Sequence, residues 1–270
     1  MNSAQLSTVT VSIFMGGIHI QRVPRLILRS TRFDPLQVAN IVVPDPRGEL
    51  HRFVKAGMRV DISIGMRGFQ PEIWSGEVSG IGSGATKDQI FIIAKRGLEL
   101  VQPCIKESFE NETPEAVMRW AILQAGLTAD VIDYVGVVLP RISVANLSLN
   151  ELALQLGHSC KHGFAVDMSH RALWLGAGGV CWSDGKVPGS IPVISTGEDL
   201  IKHTPLENYA YGLGLVETFL LPEFGHSRMF RIVDSRRGID ASFRALGVEH
   251  HISPNKARTF IEYGEEYEHY

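Results

Sequence analysis

"RVDISIG", residues 59–65, places Val60, Ile62 and Ile64 at every second position, with Arg59, Asp61 and Ser63 between them. Successive side chains of a strand point to opposite faces, so this spelling predicts a strand with one buried and one wet face. The same period extends outward in both directions. Val9, Val11 and Ile13 alternate with Thr8, Thr10 and Ser12, and a less regular version passes through "EIWSGEVSGI" (72–81) and "QIFIIAKRG" (89–97). Turn formers separate the runs, "PDPRGE" at 44–49 and "GSGATKD" at 82–88. Short strands following one another without a helix predict an antiparallel barrel or sandwich over residues 1–104.

The spelling then turns helical. In "NETPEAVMRWAILQAG" (111–126), Thr113 is an N-cap, Pro114 takes the first helical position, Glu115 sits in the positively polarised first turn, and Gly126 follows the end. In "LSLNELALQLGHSCKHG" (147–163), Ser148 and Glu151 have capping-box spacing. Its apolar face runs through Leu149, Leu152, Ala153, Leu156 and Cys160 before Gly163, read as the stop. "FAVDMSHRALWLG" (164–176) reads as two strands about a Ser-His-Arg turn, making residues 105–176 a small α+β unit. "GAGGVCWSDGKVPG" (176–189) is rich in turn formers and reads as a loop, with 177–189 the linker. Strands return in "IPVIST" and "YAYGLGLVETFLL", and the segment 242–264 reads as a hairpin turning at Ser253, Pro254, Asn255 and Lys256. The expected class is α+β, mainly β: two antiparallel β-barrel regions, 1–104 and 190–270, with the α+β unit between them.

Composition excludes several function classes. Hydrophobic residues make up 44% and charged ones 20% of 270, and the formal net charge of −3 gives no basic footprint for reading nucleic acid. No apolar run approaches bilayer length, and "MNSAQLSTVTVSIF" has neither a basic n-region nor a small-residue cleavage site, so a soluble chain without export signal is expected. Cys104, Cys160 and Cys181 are odd in number and lack C-x-x-C spacing, which fits synthesis in a reducing compartment. The acidic and aromatic "GEEYEHY" that follows the last strand-like segment reads as a frayed or partner-docked tail.

Reactive letters concentrate in "GHSCKHGFAVD" (157–167), which holds His158, Cys160 and His162. Cys160 continues the buried stripe eleven positions after Leu149 and reads as a small hydrophobe. His158 and His162, four apart, could share a metal, but local spacing supplies no third ligand; in the last turn they and Lys161 meet the negative end of the helix. The glycines from Gly176 lack the G-K-[ST] ending of a phosphate cradle. His250 and His251 are adjacent in a strand and so face opposite ways. No G-x-S-x-G or H-E-x-x-H occurs, and nothing local sets Glu217 and Glu223 at the separation of a glycosidase pair. No catalytic, cofactor or metal residue is assigned.

The order of elements carries a resemblance. "AGMRVDISIG" followed by "PEIWSGEVSGI" is similar to a family pattern of glycine, strand and F-x-G-x-V strand, with Trp74, Gly76 and Val78 in the motif. "FENETPEAVMRWAILQAGL" matches an N-x-T-x-x-x-V helix and closing glycine through Asn111, Thr113, Val117 and Gly126. In residues 142–175, Asn146, Ser148, Leu152, Gly163 and Leu173 follow an N-x-S, helix, glycine, strand and hairpin order, and the closing hairpin ends in a T-x-L type strand at Thr259–Ile261. Together these resemble the late control protein D family, the hub proteins of phage tail baseplates, related in fold to the hub part of type VI secretion spike proteins. The chain is shorter than the pattern around 176–189 and in the second β-region, and it carries no spike repeat or lysozyme-like domain.

The resemblance implies a structural late protein of the virion, made in the host cytoplasm. Three copies would form a ring with a channel for DNA, each giving two tube-like domains, and so join the six-fold tail tube to a three-fold central spike. Implied partners are further copies of the chain, the tail tube or distal tail protein, the spike protein and other baseplate or wedge proteins, with DNA in passage only. The alternatives are a tail-associated cell-wall hydrolase using carboxylate or histidine chemistry, and a β-rich binding module that shares only the barrel style.

Overall fold

Alternation does shape the first strands, and the computed structural model describes residues 9–20, 25–66, 71–103, 105–185, 191–206 and 212–264. The first region contains β1 (Val9–Met15), β2 (Ile18–Ile20), β3 (Arg25–Thr31), β4 (Asp34–Pro44), α1 (Glu49–Phe53), β5 (Arg59–Met66), β6 (Glu72–Ser83) and β7 (Gln89–Arg96). Ile13, Leu26, Ile41, Ile62, Trp74 and Ile92, drawn from six of these strands, share one buried cluster, so the sheet curls around a common core. The single helical turn α1 follows the turn read at 44–49, and both Asp45 carboxylate oxygens accept main-chain N–H bonds from it, from Leu50 (3.1 Å) and His51 (2.9 Å).

The middle region holds β8 (Ile105–Glu112), α2 (Pro114–Gln124), β9 (Ala129–Ile132), β10 (Leu139–Leu147), α3 (Leu149–Phe164), β11 (Ala172–Leu175) and β12 (Val180–Ser183). The Thr113 hydroxyl accepts from the Ala116 N–H at 3.3 Å. Ser148 and Glu151 form the full capping box: the Glu151 N–H donates to Ser148 Oγ (3.2 Å), and the Ser148 N–H donates to Glu151 Oε2 (2.8 Å). Leu149, Leu152, Leu156 and Cys160 enter a second core with Val117, Met118 and Trp182.

Three local expectations are corrected here. Gly163 does not stop α3; the helix runs on to Phe164, and Ala165 takes the left-handed conformation (φ 54°) that lets the Val166 N–H reach the Cys160 carbonyl. Residues 165–168 form no strand, because Asp167 folds them into a turn by accepting the Ser169 N–H at 2.8 Å. The 177–189 stretch is not simply a linker, since Val180–Ser183 is the fully buried β12, antiparallel to β11 and parallel to β9. Gly178 and Gly179 lie at the tight β11–β12 turn, where a Cβ on Gly179 would come within 2.3 Å of the Thr128 carbonyl. Residues 186–190 of that stretch, Cys104 and the acidic aromatic tail 265–270 lie outside the described residues.

The last region contains β13 (Val193–Ser195), β14 (Leu200–Pro205), β15 (Gly214–Phe219), β16 (Met229–Asp234), β17 (Ile239–Ser253) and β18 (Lys256–Gly264) around a third core that includes Val216, Phe230, Ile232 and Ile261. The two β-regions are not separate. Among the described residues a single 13-stranded sheet runs β14-β15-β18-β17-β3-β4-β7-β6-β5-β1-β2, with β16 on β17 and β13 on β16, and its strand path does not close into a barrel. The 15-residue β17 is the reason. Its first part pairs with β16 (Asp234↔Ile239 to Met229↔Arg244), and its second part pairs with β3 (Gly247↔Thr31 to Ile252↔Leu26). β18 covers the other edge of the same strand.

The middle unit is clamped to this sheet by polar contacts. The Arg32 N–H donates to the Leu246 carbonyl (2.9 Å), and its guanidinium donates to the His170 carbonyl. Gln37 and Arg96 reach the carbonyls of Leu175 (3.4 Å) and Gly176 (2.8 Å). His226, buried beside Arg32, meets the Trp174 ring edge-on at 5.5 Å. Burial, reinforced by the Arg32 charge, pushes the His226 imidazole down to about 4; burial does the same to His250, whose ring is bonded to Thr259 Oγ1 at 3.0 Å.

Four outcomes are expected. A Cβ on Gly76 would lie 2.5 Å from the Lys95 carbonyl and 2.6 Å from the Trp74 ring, both walls of a packed sheet. Gly76→Ala should therefore lower stability by about 1–3 kcal/mol in urea titrations. Ser148→Ala should cost about 1 kcal/mol, whereas Ala165→Gly should gain about 1 kcal/mol by removing the left-handed strain. The two low-pKa histidines favour the neutral form in the fold, so their contribution is complete above about pH 6.5 and falls as pH drops toward 4, by up to about 1.4 kcal/mol per unit for each. Urea midpoints measured from pH 7 to pH 4.5 should fall accordingly, and less steeply when both histidines are replaced by Gln.

Candidate functional site

The chemistry-bearing residues singled out from the sequence separate in space. On α3 the rings of His158 and His162 lie 4.2 Å apart, tilted by 35°, while Cys160 faces the core, fully buried, with burial raising its thiol pKa. No group of three or more His, Cys, Asp or Glu suited to a metal gathers among the described residues. The pleat sends His250 into the core and His251 to the other face, where its Nε2 lies 2.8 Å from Glu249 Oε2. Glu217 is held by Lys256 (3.1 Å) and Arg258 (3.7 Å), and Glu223 stands in an exposed loop. Cys181, in the buried strand β12, lies 3.7 Å from Asp130, and burial pushes its thiol up to about 11. That thiol stays protonated near neutral pH and makes a poor nucleophile.

One constellation was not legible in advance. His203 of β14 sits between Asp234 of β16 and Tyr263 of β18, with Nδ1 2.9 Å from Asp234 Oδ2 and Nε2 2.6 Å from the Tyr263 hydroxyl. These groups stand 31 and 60 positions from His203 in sequence, and only the strand pairing unites them. The carboxylate is further fixed by the Thr196 hydroxyl and the Arg236 N–H, and Arg237 approaches to 3.7 Å. Although burial opposes it, the hydrogen bonds from His203 and Arg236 keep the Asp234 pKa below the usual carboxylate range; burial pushes the Tyr263 phenol up to about 12. The order Asp, His, hydroxyl is that of a nucleophile-activating relay. Here the hydroxyl is a phenol packed against Phe243 (ring centroids 4.5 Å apart), and the His203 and Asp234 side chains are only 1% and 4% exposed, so no substrate can reach it. It is a satisfied buried polar network that fixes three strands.

A groove of ≈ 530 Å³ lies between α3 and the β3–β4 turn, lined by Arg32, Phe33, Leu154, His158, Lys161 and Arg171 among others. Phe33 and Leu154 are 66% and 67% exposed on its walls. Arg171 stacks over Trp182 and donates to the carbonyls of Asp133 and Tyr134, both at 2.8 Å. Asp167 on the same wall accepts from the Ser169 N–H and hydroxyl. The groove thus combines cationic and apolar side chains with one carboxylate, Asp167, which holds the Ser169 hydroxyl.

No family model matches the sequence, and no curated protein matches it. Solved structures do. The 43 kDa tail protein of prophage MuSo2 from Shewanella oneidensis superposes with a TM-score of 0.70 at 11% identity, over 95% of this chain and 96% of that one. A tail protein from Neisseria meningitidis MC58 gives 0.67 at 12% identity, over 96% of this chain and 97% of that one. A type VI secretion system component of E. coli, described as structurally similar to T4 bacteriophage tail proteins gp27 and gp5, gives 0.54 at 9% identity, over 96% and 78%. Across nearly its whole length, the chain therefore has the fold of phage tail proteins.

Proposed function

We propose that the chain is a structural protein of a phage tail baseplate, the hub that joins the tail tube to the central spike, and not an enzyme. The observation that carries this reading is the sheet. It passes from one β-region to the other through β3 and β17, and its end strands β2, β13 and β14 each have a single strand partner among the described residues. An open sheet with available edges can be completed by another chain, and a head-to-tail contact that closes by rotation makes a ring. The likeness to tail proteins over 95% of the chain supports the same reading.

Three copies, each presenting two tube-like β-regions, display six similar units. Such a ring faces a six-fold tube on one side and a three-fold spike on the other. In this reading the units are residues 1–104, 105–176 and 190–270, with β12 added to the middle unit, which stands outside the two tube-like regions. The slightly acidic chain suits a channel that passes DNA without holding phosphates. Its partners are the tube or distal tail protein, the spike and neighbouring baseplate proteins, and its place is the virion.

Electron microscopy and mass measurement of the purified chain test the proposal. Three chains of 29.8 kDa, about 89 kDa together, should form a ring with an open centre and a six-fold appearance on one face. A compact monomer well above micromolar concentration, or muralytic activity lost on changing one Glu or His, would overturn it.

A further inference from the structure

We infer that the wet face of the sheet, from β15 across the β17–β3 junction to β6, lines the channel of the assembled ring, and that its own carboxylates keep its cations from gripping the phosphates of passing DNA. The inference rests on the hub reading. It adds which face turns inward and how that face avoids holding a polyanion.

Strand pairing carries one row of side chains across both β-regions. Glu217 of β15 stands beside Phe260 of β18, and Phe260 beside Glu249 of β17. Glu249 meets Arg29 of β3 across the junction, and Val38, Lys95 and Glu77 continue the row on β4, β7 and β6. These side chains are exposed or half-buried. Their strand neighbours Val216, Ile261, Val248, Leu28, Ala39 and Ala94 point the other way, into the first and third cores. The wet face is therefore continuous over seven strands. When a ring closes by joining sheet edge to sheet edge, one face of the sheet turns to the centre; the other carries the cores and so lies outside.

Each carboxylate of the row stands among basic groups. Glu249 lies 3.3 Å from Arg29 and 2.8 Å from His251, and Glu217 lies 3.1 Å from Lys256 and 3.7 Å from Arg258. Glu77 and Lys95 are direct cross-strand partners, a placement in which opposite charges attract. Lys256 and Arg258 also sit over the rings of Phe260 (5.4 Å) and Phe219 (5.2 Å). Exposed pairs of this kind add little to stability, so the fold alone does not call for them. They matter to a polyanion. A basic group grips DNA by neutralising phosphates and releasing their counterions, and a carboxylate a few ångströms away offsets that charge beforehand. A duplex sliding over this face meets charges of both signs in place of a basic stripe.

Thiol labelling of the assembled chain tests which way the face turns. Val38→Cys lies at the middle of the face, and Leu154→Cys is exposed on α3 of the middle unit. Each is treated with a small maleimide and with one carrying a long polyethylene glycol chain, and peptide mass spectrometry reads each position. In trimers isolated by mass, the small reagent should modify both positions, while the bulky one should modify position 38 several-fold more slowly than position 154. Equal bulky labelling would overturn the inference while the ring stands. A position 38 closed to both reagents would also overturn it, by placing the face between copies. DNA binding reads the role of the carboxylates. Glu217→Gln with Glu249→Gln, checked by an unaltered urea midpoint, should raise affinity for a short DNA duplex several-fold at about 50 mM salt, with most of the gain lost by about 200 mM. An unchanged affinity would overturn that role. A chain that remains a monomer by mass would instead overturn the hub reading, and the inference with it.

Discussion

Six residue pairs between β3 and β17, from Gly247↔Thr31 to Ile252↔Leu26, hold the two β-regions in one sheet. Without them the chain would be two β-units with edges facing each other. With them, the first core takes Leu220 and Ile252 from the far end of the sequence, and the regions share buried apolar surface as well as a ladder. The pairing requires β17 to be long, because the same strand must serve β16 with its first part and β3 with its second. A register shift between Ala245 and Gly247 in its pairing with β18 falls where the partner on the opposite edge changes. Local bending of this kind is the usual effect of a bulge.

The helical unit depends on the same strand at one remove. Arg32 follows β3, bonds the main chain of β17 and extends to the main chain of the middle unit at His170. The clamp is built mainly from donors to backbone carbonyls, with Gln37 and Arg96 adding two more. Carbonyl acceptors are present whatever the side chain, which lets the clamp hold a rigid angle without requiring a matched partner residue on the helical side. Around it the polar groups are buried and neutral, as His226 and Ser227 show with their 2.9 Å bond.

What could be read from the letters was what is decided locally. Val60, Ile62 and Ile64 announce their strand, Ser148 and Glu151 their capping box, and Cys160 its place in a buried stripe, because each signal spans a few residues. Decisions made at a distance were hidden. Val180, Cys181 and Trp182 sit among glycines that suggest a loop, and only β9 and β11 make them a buried strand. The His203, Asp234 and Tyr263 network has no spacing to recognise, since three paired strands bring it together. Gly163 misled for a related reason: Val166 bonding back to Cys160 decides where the helix ends, and the glycine merely lies inside it. The β3–β17 pairing that governs the architecture left no local mark at all.

That pairing also sets an order of events during synthesis. Residues 25–31 emerge from the ribosome long before residues 247–252, and at about 5–20 residues per second the roughly two hundred residues between them take about 10–40 s to make. Throughout that interval the outer edge of β3 is an unpaired strand edge on a unit whose other strands can already fold. An exposed edge of that kind recruits other strands, including the same edge of a sister chain on the same message. The charged and polar side chains of Arg25, Arg29 and Ser30 lie along it and disfavour such wrong pairings. The sequence of β3 thus has to suit two situations in turn, a solitary edge in water for tens of seconds and then an interior strand between β4 and β17.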